Sequence, residues 1–374
     1  MNIGFDAKRI FLNRSGLGNY SRFIIRSLEK FAGENKYFLF TPAEGNNDLF
    51  KSNSKNTHVV TPKKLFYKKL KRIWRSYGQM GDIKKCNIDI YHGLSNEIPF
   101  GLKKTNIKSV VTIHDLIFMR YPEFYNPIDR KIYERKFRFA CENANCVVAI
   151  SEQTKLDIIS FLKIPEEKIK VLYQGCDQRF QKLIESEQLE QVKQKYSLPE
   201  KYILYVGTVE ERKNLLSVVK ALKEGNFDIT LVVVGKQTDY ADKVKQYIHD
   251  TGLENVYFLS NVPNDDLPAL YQMAKIFVYP SVFEGFGIPI LEALYSKVPV
   301  ISSKGSCFSE AGGPGTIYIN PVNSDEIANA IKRILSDEDL YNIMIEQGYK
   351  YAQSFNHDKL SARLNNLYKE IANG

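Results

Sequence analysis

The chain has 374 residues, 44% of them hydrophobic and 25% charged, an ordinary globular composition with length enough for two domains that each bury a core. Five cysteines, at 86, 141, 146, 176 and 307, form no CxxC pair. They argue against a disulfide-stapled scaffold or a thiolate zinc site, and for reduced, mostly buried thiols. The formal net charge of +9 favours anionic partners: phosphates, nucleic acid or an anionic membrane.

The chain opens with MNIGFDAKRI, where Asp6 interrupts the only apolar run, so no signal peptide is expected. No apolar stretch approaches the length of a bilayer span. A cytoplasmic protein follows, with no integral membrane segment. Strands are predicted at Asn2–Phe5, Tyr37–Phe40, Ile88–Tyr91, Ser109–Ile113 and Cys146–Ile150. A second series follows at Tyr202–Val206, Ile229–Val234, Val256–Phe258, Ile276–Tyr279 and Val300–Ser302. Several are near-continuous apolar runs, as buried parallel strands require, and helical stretches separate them. The prediction is α/β: two Rossmann-like, doubly wound parallel-sheet domains facing a cleft. Residues 1–178 form the first domain and 198–355 the second. Asn356–Asn373 reads as a charged amphipathic helix.

Ligands of open α/β sheets bind at the carboxyl ends of the strands, so motifs just after strands carry the chemistry. After the first strand comes SGLGNYSRFIIRSL, with Gly16 and Gly18 at a strand-to-helix turn. Such glycines either let the backbone approach a ligand or simply make a tight turn. His114 and Asp115 follow an apolar strand, suit no core, and read either as a sugar-contacting pair or as an Asp115 cap with a bystander histidine. Gly207 precedes VEERKN, in which Arg212 and Lys213 read as a diphosphate clamp at a helix start or as a solvated loop pair. The strongest segment is SVFEGFGIPILE at 281–292. Gly285, Phe286, Gly287 and Ile288 place backbone amides at a helix start, with Pro289 in its first turn. Glu284 and Glu292 each supply a carboxylate able to hold two vicinal hydroxyls.

Taken together, EGFGIPILE, GTVEERKN, SGLGNY, HDL and YQGCD resemble the retaining glycosyltransferases of family four, which have the GT-B fold. The resemblance spans nearly the whole chain, and IGFDAKRI…GLGNYSRFI is most similar to mannosyltransferases of bacterial surface-polysaccharide assembly. It implies that Arg212 and Lys213 bind the donor diphosphate, Glu292 the donor ribose, and Glu284 with the amides after it the transferred sugar. His114 would sit near the reacting centre. Gly16 and Gly18 would let the first domain close over the phosphates, and the terminal helix would pack back on the first domain. Two departures stand out: Ser309 precedes Glu310 where a Pro-Glu pair is usual, and Gln174 replaces an asparagine. The implied donor is GDP-mannose, with UDP-hexoses as the rival, and the acceptor a glycan or lipid-linked glycan. His92, Gly93 and Pro99 would line the acceptor side.

No DxD pair stands in a binding loop, so transfer is expected to need no metal or other cofactor. KKLFYKKLKRIWR at 63–75 carries seven basic residues and no acid. Leu65, Phe66, Leu70, Ile73 and Trp74 fit one helical face, which suggests peripheral attachment to the inner face of an anionic cytoplasmic membrane. Nucleic acid lacks a binding motif here. A Rossmann oxidoreductase would want a full GxGxxG. A non-catalytic sugar-nucleotide binder is countered by the intact Glu284, Glu292, Arg212 and Lys213.

Overall fold

The computed structural model describes residues 1–14, 16–43, 49–52 and 54–374, with side chains at all of these except 65 and 72. Ser15 of the glycine turn lies outside the described residues. Met1–Gly175 and Phe355–Gly374 make one compact unit, Cys176–Ser354 the other.

The first unit holds β1 (Asn2–Asp6), β2 (Lys36–Phe40), β3 (Thr57–Val60), β4 (Ile90–Gly93), β5 (Lys108–Ile113), β6 (Cys146–Ala149) and β7 (Ile169–Val171). All pair in parallel, in the order β3-β2-β1-β4-β5-β6-β7. The second unit holds β8 (Tyr202–Val206), β9 (Thr230–Val234), β10 (Val256–Leu259), β11 (Ile276–Tyr279), β12 (Val300–Ser303) and β13 (Thr316–Ile319). These are parallel too, in the order β10-β9-β8-β11-β12-β13. Each sheet winds in one direction and then the other, so each has a switch point: between β1 and β4, and between β8 and β11. Crevices outside the carboxyl ends at such points are where this architecture binds ligands.

Three strands escaped prediction: β3, β7 and β13. All lie at sheet edges. THVV of β3 has no fully buried residue, so it lacks the apolar run by which buried strands are recognised. By contrast β4, β6, β11 and β12 are buried at every position.

The final helix, His357–Asn373, belongs to the first unit. It buries Leu360, Leu364, Leu367 and Tyr368, each such apolar side chain adding about 1.5–3 kcal/mol. It lies against the helix Gly16–Phe31 through Ser27 Oγ to His357 Nδ1 at 2.8 Å and Ser361 Oγ donating to Ser27 O at 3.2 Å. Asn35 Nδ2 also donates to Asn365 Oδ1 at 2.9 Å.

The basic segment 63–75 is not one helix. Leu65–Lys69 stops at Leu70, whose φ of −100° and ψ of 58° leave the helical region. Lys71–Ile73 and a π-helical turn, Trp74–Gly78, follow. That break turns Trp74 inward: it is 1% exposed and its Nε1 donates to Asp82 at 3.1 Å. The indole belongs to the core, contrary to its expected place on an outward apolar face. Phe66, Leu70 and Ile73 do remain exposed. Among the described residues no helix is long and apolar enough to cross a membrane.

Candidate active site

The second sheet's switch point gathers most of the predicted donor residues. β8 runs into Gly207, whose φ is +156° and whose missing Cβ would stand 3.1 Å from Lys213 Cδ. A further glycine, Gly235, lets the chain pass beside it: a Cβ there would lie 1.9 Å from Gly207 O. Arg212 and Lys213 sit in the 3-10 turn Glu211–Lys213, closed by Asn214 in the left-handed conformation at φ 55°. The turn aims both cations at the loop after β11.

There they meet Glu284. Arg212 Nη1 is 2.7 Å and Lys213 Nζ 3.1 Å from Glu284 Oε1. Ser281 Oγ and Tyr279 OH each donate to the same oxygen at 3.0 Å. Lys213 Nζ also lies 2.9 Å from Tyr279 OH, and Arg212 Nη2 pairs with Glu210 Oε1 at 2.6 Å. Burial alone would raise the Glu284 carboxyl; Lys213 and Arg212 outweigh it and hold it down at about 2. Burial opposes the Arg212 charge, and Glu284 and Glu210 overcome that, so its pKa rises. The result is a charged, water-poor cluster in which every member is paired. Buried charge persists only on those terms.

Gly285, Phe286 and Gly287 are buried, and Ile288 partly so. Gly287 has φ +110°, which only glycine adopts without strain, and it initiates the helix Ile288–Tyr295. That helix start, with its positive dipole end, stands beside the charge cluster. Glu292, one turn further, accepts from Tyr271 OH at 3.0 Å, and burial raises its carboxyl to about 7. The loop is also pinned from behind. Ser302 Oγ donates to Tyr279 O, Ser303 Oγ to Ser281 O, Ser306 Oγ to Glu284 O, and Cys307 Sγ to Phe286 O, at 2.6–3.2 Å. Sequence reasoning missed this ladder; its one signal is the cluster of Ser302, Ser303, Ser306 and Cys307 just after a strand. Glu310 lies in the helix Phe308–Gly312, where Tyr351 OH bonds its carbonyl at 2.8 Å.

The first unit treats its predicted residues differently. Gly16 begins the helix Gly16–Phe31, in open space. Gly18 is required by packing: a Cβ would stand 2.0 Å from Asn13 O, and its amide donates to Asn13 Oδ1 at 3.2 Å. His114, expected to suit no core, is 5% exposed. Its Nε2 lies 2.8 Å from Leu94 O, its Nδ1 3.1 Å from Gln174 Nε2, and Tyr20 packs edge-on against the ring. The carbonyl makes Nε2 the protonated nitrogen and Nδ1 the acceptor. Burial lowers its pKa to about 4. Gln174, unassigned by sequence, is thus the side chain whose amide donates to the remaining His114 nitrogen. Asp115 Oδ1 accepts from Ile117 N at 3.1 Å at the head of the short helix Ile117–Arg120.

His92 does not line an acceptor surface. It is fully buried between Tyr368 OH, 2.6 Å from Nδ1, and Thr112 Oγ1, 2.8 Å from Nε2. Burial, with the neighbouring His114, lowers its pKa to about 3. A polar residue inside parallel strands needs partners on both ring nitrogens, and the fold provides them. Gly93 is likewise a packing position: a Cβ would stand 2.0 Å from Glu97 O.

Two doubly wound sheets, with Arg212 and Lys213 beside a glycine loop at the second switch point, are the arrangement of the GT-B glycosyltransferase class. Comparison with known proteins agrees. Residues 186–351 match the "Glycosyl transferases group 1" family and residues 14–180 the "Glycosyltransferase Family 4" family. O-antigen chain mannosyltransferase B of Escherichia coli is 28% identical over 385 residues, covering 99% of this chain and 100% of the relative. O-antigen chain mannosyltransferase RfbU of Salmonella typhimurium is 30% identical over 261 residues, 70% of this chain and 69% of the relative. Among solved structures, sucrose-phosphate synthase from Thermosynechococcus elongatus shares the fold with a TM-score of 0.79 at 21% identity, covering 99% of both chains. Anabaena HepE in complex with UDP and glucose does so with a TM-score of 0.75 at 18% identity, covering 98% of this chain and 99% of that one. The chain belongs to the group 1, family 4 glycosyltransferases.

Proposed function

We propose that this glycosyltransferase moves mannose, with retention, from GDP-mannose onto a glycan or lipid-linked glycan during surface-polysaccharide synthesis. Convergence of Arg212 and Lys213 on one site beside the Ile288 helix start carries the reading. Breaking the bond from the sugar C1 to phosphate oxygen sends its electron pair to the diphosphate. Preorganised donors stabilise that charge, at roughly 3–4 kcal/mol for one donor. In the donor complex the diphosphate takes over the cations now held by Glu284, and the Glu284 carboxylate turns to the sugar hydroxyls. Glu292 holds the ribose. The acceptor oxygen attacks C1 on the face the phosphate leaves, and the acceptor's proton passes to the leaving phosphate. The mannosyltransferase names of the relatives support the sugar and the pathway class.

Two cations and a helix start supply the charge a metal would otherwise bring, so transfer is metal-independent. Exposed Phe66, Leu70 and Ile73, interspersed with Lys63, Lys64, Lys68, Lys69 and Lys71, support docking on an anionic bilayer. Sedimentation with anionic but not neutral vesicles is the expected result; equal binding to both, or none, would remove the membrane from the account. For the donor, a thermal-shift panel of GDP-, UDP- and dTDP-sugars is decisive, because a ligand of the folded state raises its stability. GDP-mannose should give the largest shift, and NMR of the product should show the α-anomer retained. A larger shift with a UDP-sugar would reassign the donor.

A further inference from the structure

A chain of hydrogen bonds runs through the core of the first unit and ends against His114. The Tyr368 hydroxyl, from the last helix, lies 2.6 Å from His92 Nδ1. His92 Nε2 is 2.8 Å from Thr112 Oγ1, which is 3.2 Å from the Tyr20 hydroxyl. The Tyr20 ring then stands edge-on to the His114 ring, with centroids 4.7 Å apart and planes at 88°. Four elements contribute: the helix His357–Asn373, β4, β5 and the helix Gly16–Phe31. Tyr368, His92 and Thr112 are wholly buried and Tyr20 nearly so.

Among the described residues the Tyr368 hydroxyl bonds only His92, so it donates to Nδ1 and leaves the His92 proton on Nε2, which donates to Thr112. A core built for stability alone is safer with apolar side chains here, because one unmatched buried polar atom costs about 1–3 kcal/mol. What the polar chain adds is a fixed place for the tip of Tyr20. His114 itself follows the carboxyl end of β5, next to β4 at the switch point, where this architecture binds ligands. Its nitrogens are held by Leu94 O at 2.8 Å and Gln174 Nε2 at 3.1 Å. Hydrogen bonds accept a broad range of angles, so these two set where the nitrogens point and resist a tilt of the ring only weakly. The perpendicular Tyr20 ring blocks that tilt.

We propose that Tyr20 and Tyr368 are positioning residues of the transfer reaction: Tyr20 holds the His114 ring, and Tyr368 anchors Tyr20 through His92 and Thr112. A phenylalanine at position 20 keeps the ring contact and loses the anchor at its far end. The inference deepens the transferase reading and rests on it, with His114 at the reacting centre.

Full-length Tyr20→Phe and Tyr368→Phe test it. Turnover is followed by release of nucleoside diphosphate, from GDP-mannose or from whichever nucleotide sugar stabilises wild type most. Each variant should lower kcat about ten- to a hundredfold, with donor KM and donor thermal shift within about twofold of wild type, because a misplacement of about 1 Å suffices for such a loss. Tyr20→Leu, which removes the ring as well, should lose more than Tyr20→Phe. Labelling the five histidines with nitrogen-15 gives an NMR readout independent of activity. His92 and His114 should both be Nε2–H tautomers in wild type. In both variants the His114 ring signals should move, although neither deleted hydroxyl bonds that ring. Unchanged kcat in both variants, or unmoved His114 signals in both, would overturn the positioning role, whatever happens to the melting temperature. Absence of nucleotide release from wild type would instead overturn the transferase reading, and the NMR comparison still tests the chain.

Discussion

One polar cluster from each unit shows two ways of burying polarity. In the first, His92 and His114 are neutral, held in hydrogen-bonded chains with Thr112, Tyr368, Gln174 and a backbone carbonyl. In the second, the buried groups are ions: Glu284 between Arg212 and Lys213, with Glu210 behind. Neutral chains set positions and tautomers at little electrostatic cost. A charge cluster costs desolvation, and here Arg212 and Lys213 are balanced by Glu284 and Glu210. On the proposed reading, an anionic leaving group takes the two cations over from Glu284. On that reading, binding and departure of the diphosphate belong to the charged cluster of the second unit.

The largest effects should come from the charged side. Arg212→Ala and Lys213→Ala should each lower transfer by about a hundred- to a thousandfold, measured by product formation at saturating donor. Near-normal turnover in both would break the comparison. The neutral side should respond in stability instead. His92→Ala removes the partner of the Tyr368 hydroxyl and one of the two partners of Thr112, and leaves a cavity behind, at a cost of about 2–4 kcal/mol in denaturant unfolding. A variant as stable as wild type would show that the chain is not structural.

Acidity separates the two sides further. The folded-state pKa values of His92 and His114 lie at about 3 and 4, below the ordinary 6.5, so their stabilisation is present above 6.5. It is lost as pH falls from 6.5 toward those values. Glu292, raised to about 7 from 4.5, works in reverse: its contribution is full below 4.5 and is lost as pH rises through 7. Glu292→Gln should flatten the stability profile between pH 5 and 8 and leave the histidine-driven acid limb in place. If donor binding needs the ionised Glu292, donor affinity falls below pH 7 in wild type and loses that dependence in the variant. The smallest expected effect is that of excess chelator, which should leave turnover within about twofold, because the cations of the cluster already supply the charge. Loss of turnover would place a metal in the reaction.

Much of the molecule was legible because buried parallel strands write themselves as apolar runs and ligand loops follow strand ends. Pro289 shows this at one residue: a proline suited to a first helical turn, after a glycine loop, stands in the helix that begins at Ile288. Illegible were features set by three-dimensional neighbours. Edge strands such as THVV lack the apolar run. His92 and His114 looked like surface ligands because sequence does not reveal Tyr368, 276 positions away from His92, or Gln174, 60 positions from His114. Trp74 looked interfacial because sequence reveals neither the break at Leu70 nor the Asp82 partner of the indole.

The central claim is that Arg212 and Lys213 bind the donor diphosphate, displacing Glu284 toward the transferred sugar. Calorimetric titration of GDP-mannose into wild type, Arg212→Ala and Lys213→Ala tests it most directly. The account predicts one site in wild type and at least tenfold weaker binding in each variant. Undiminished affinity in both would contradict it.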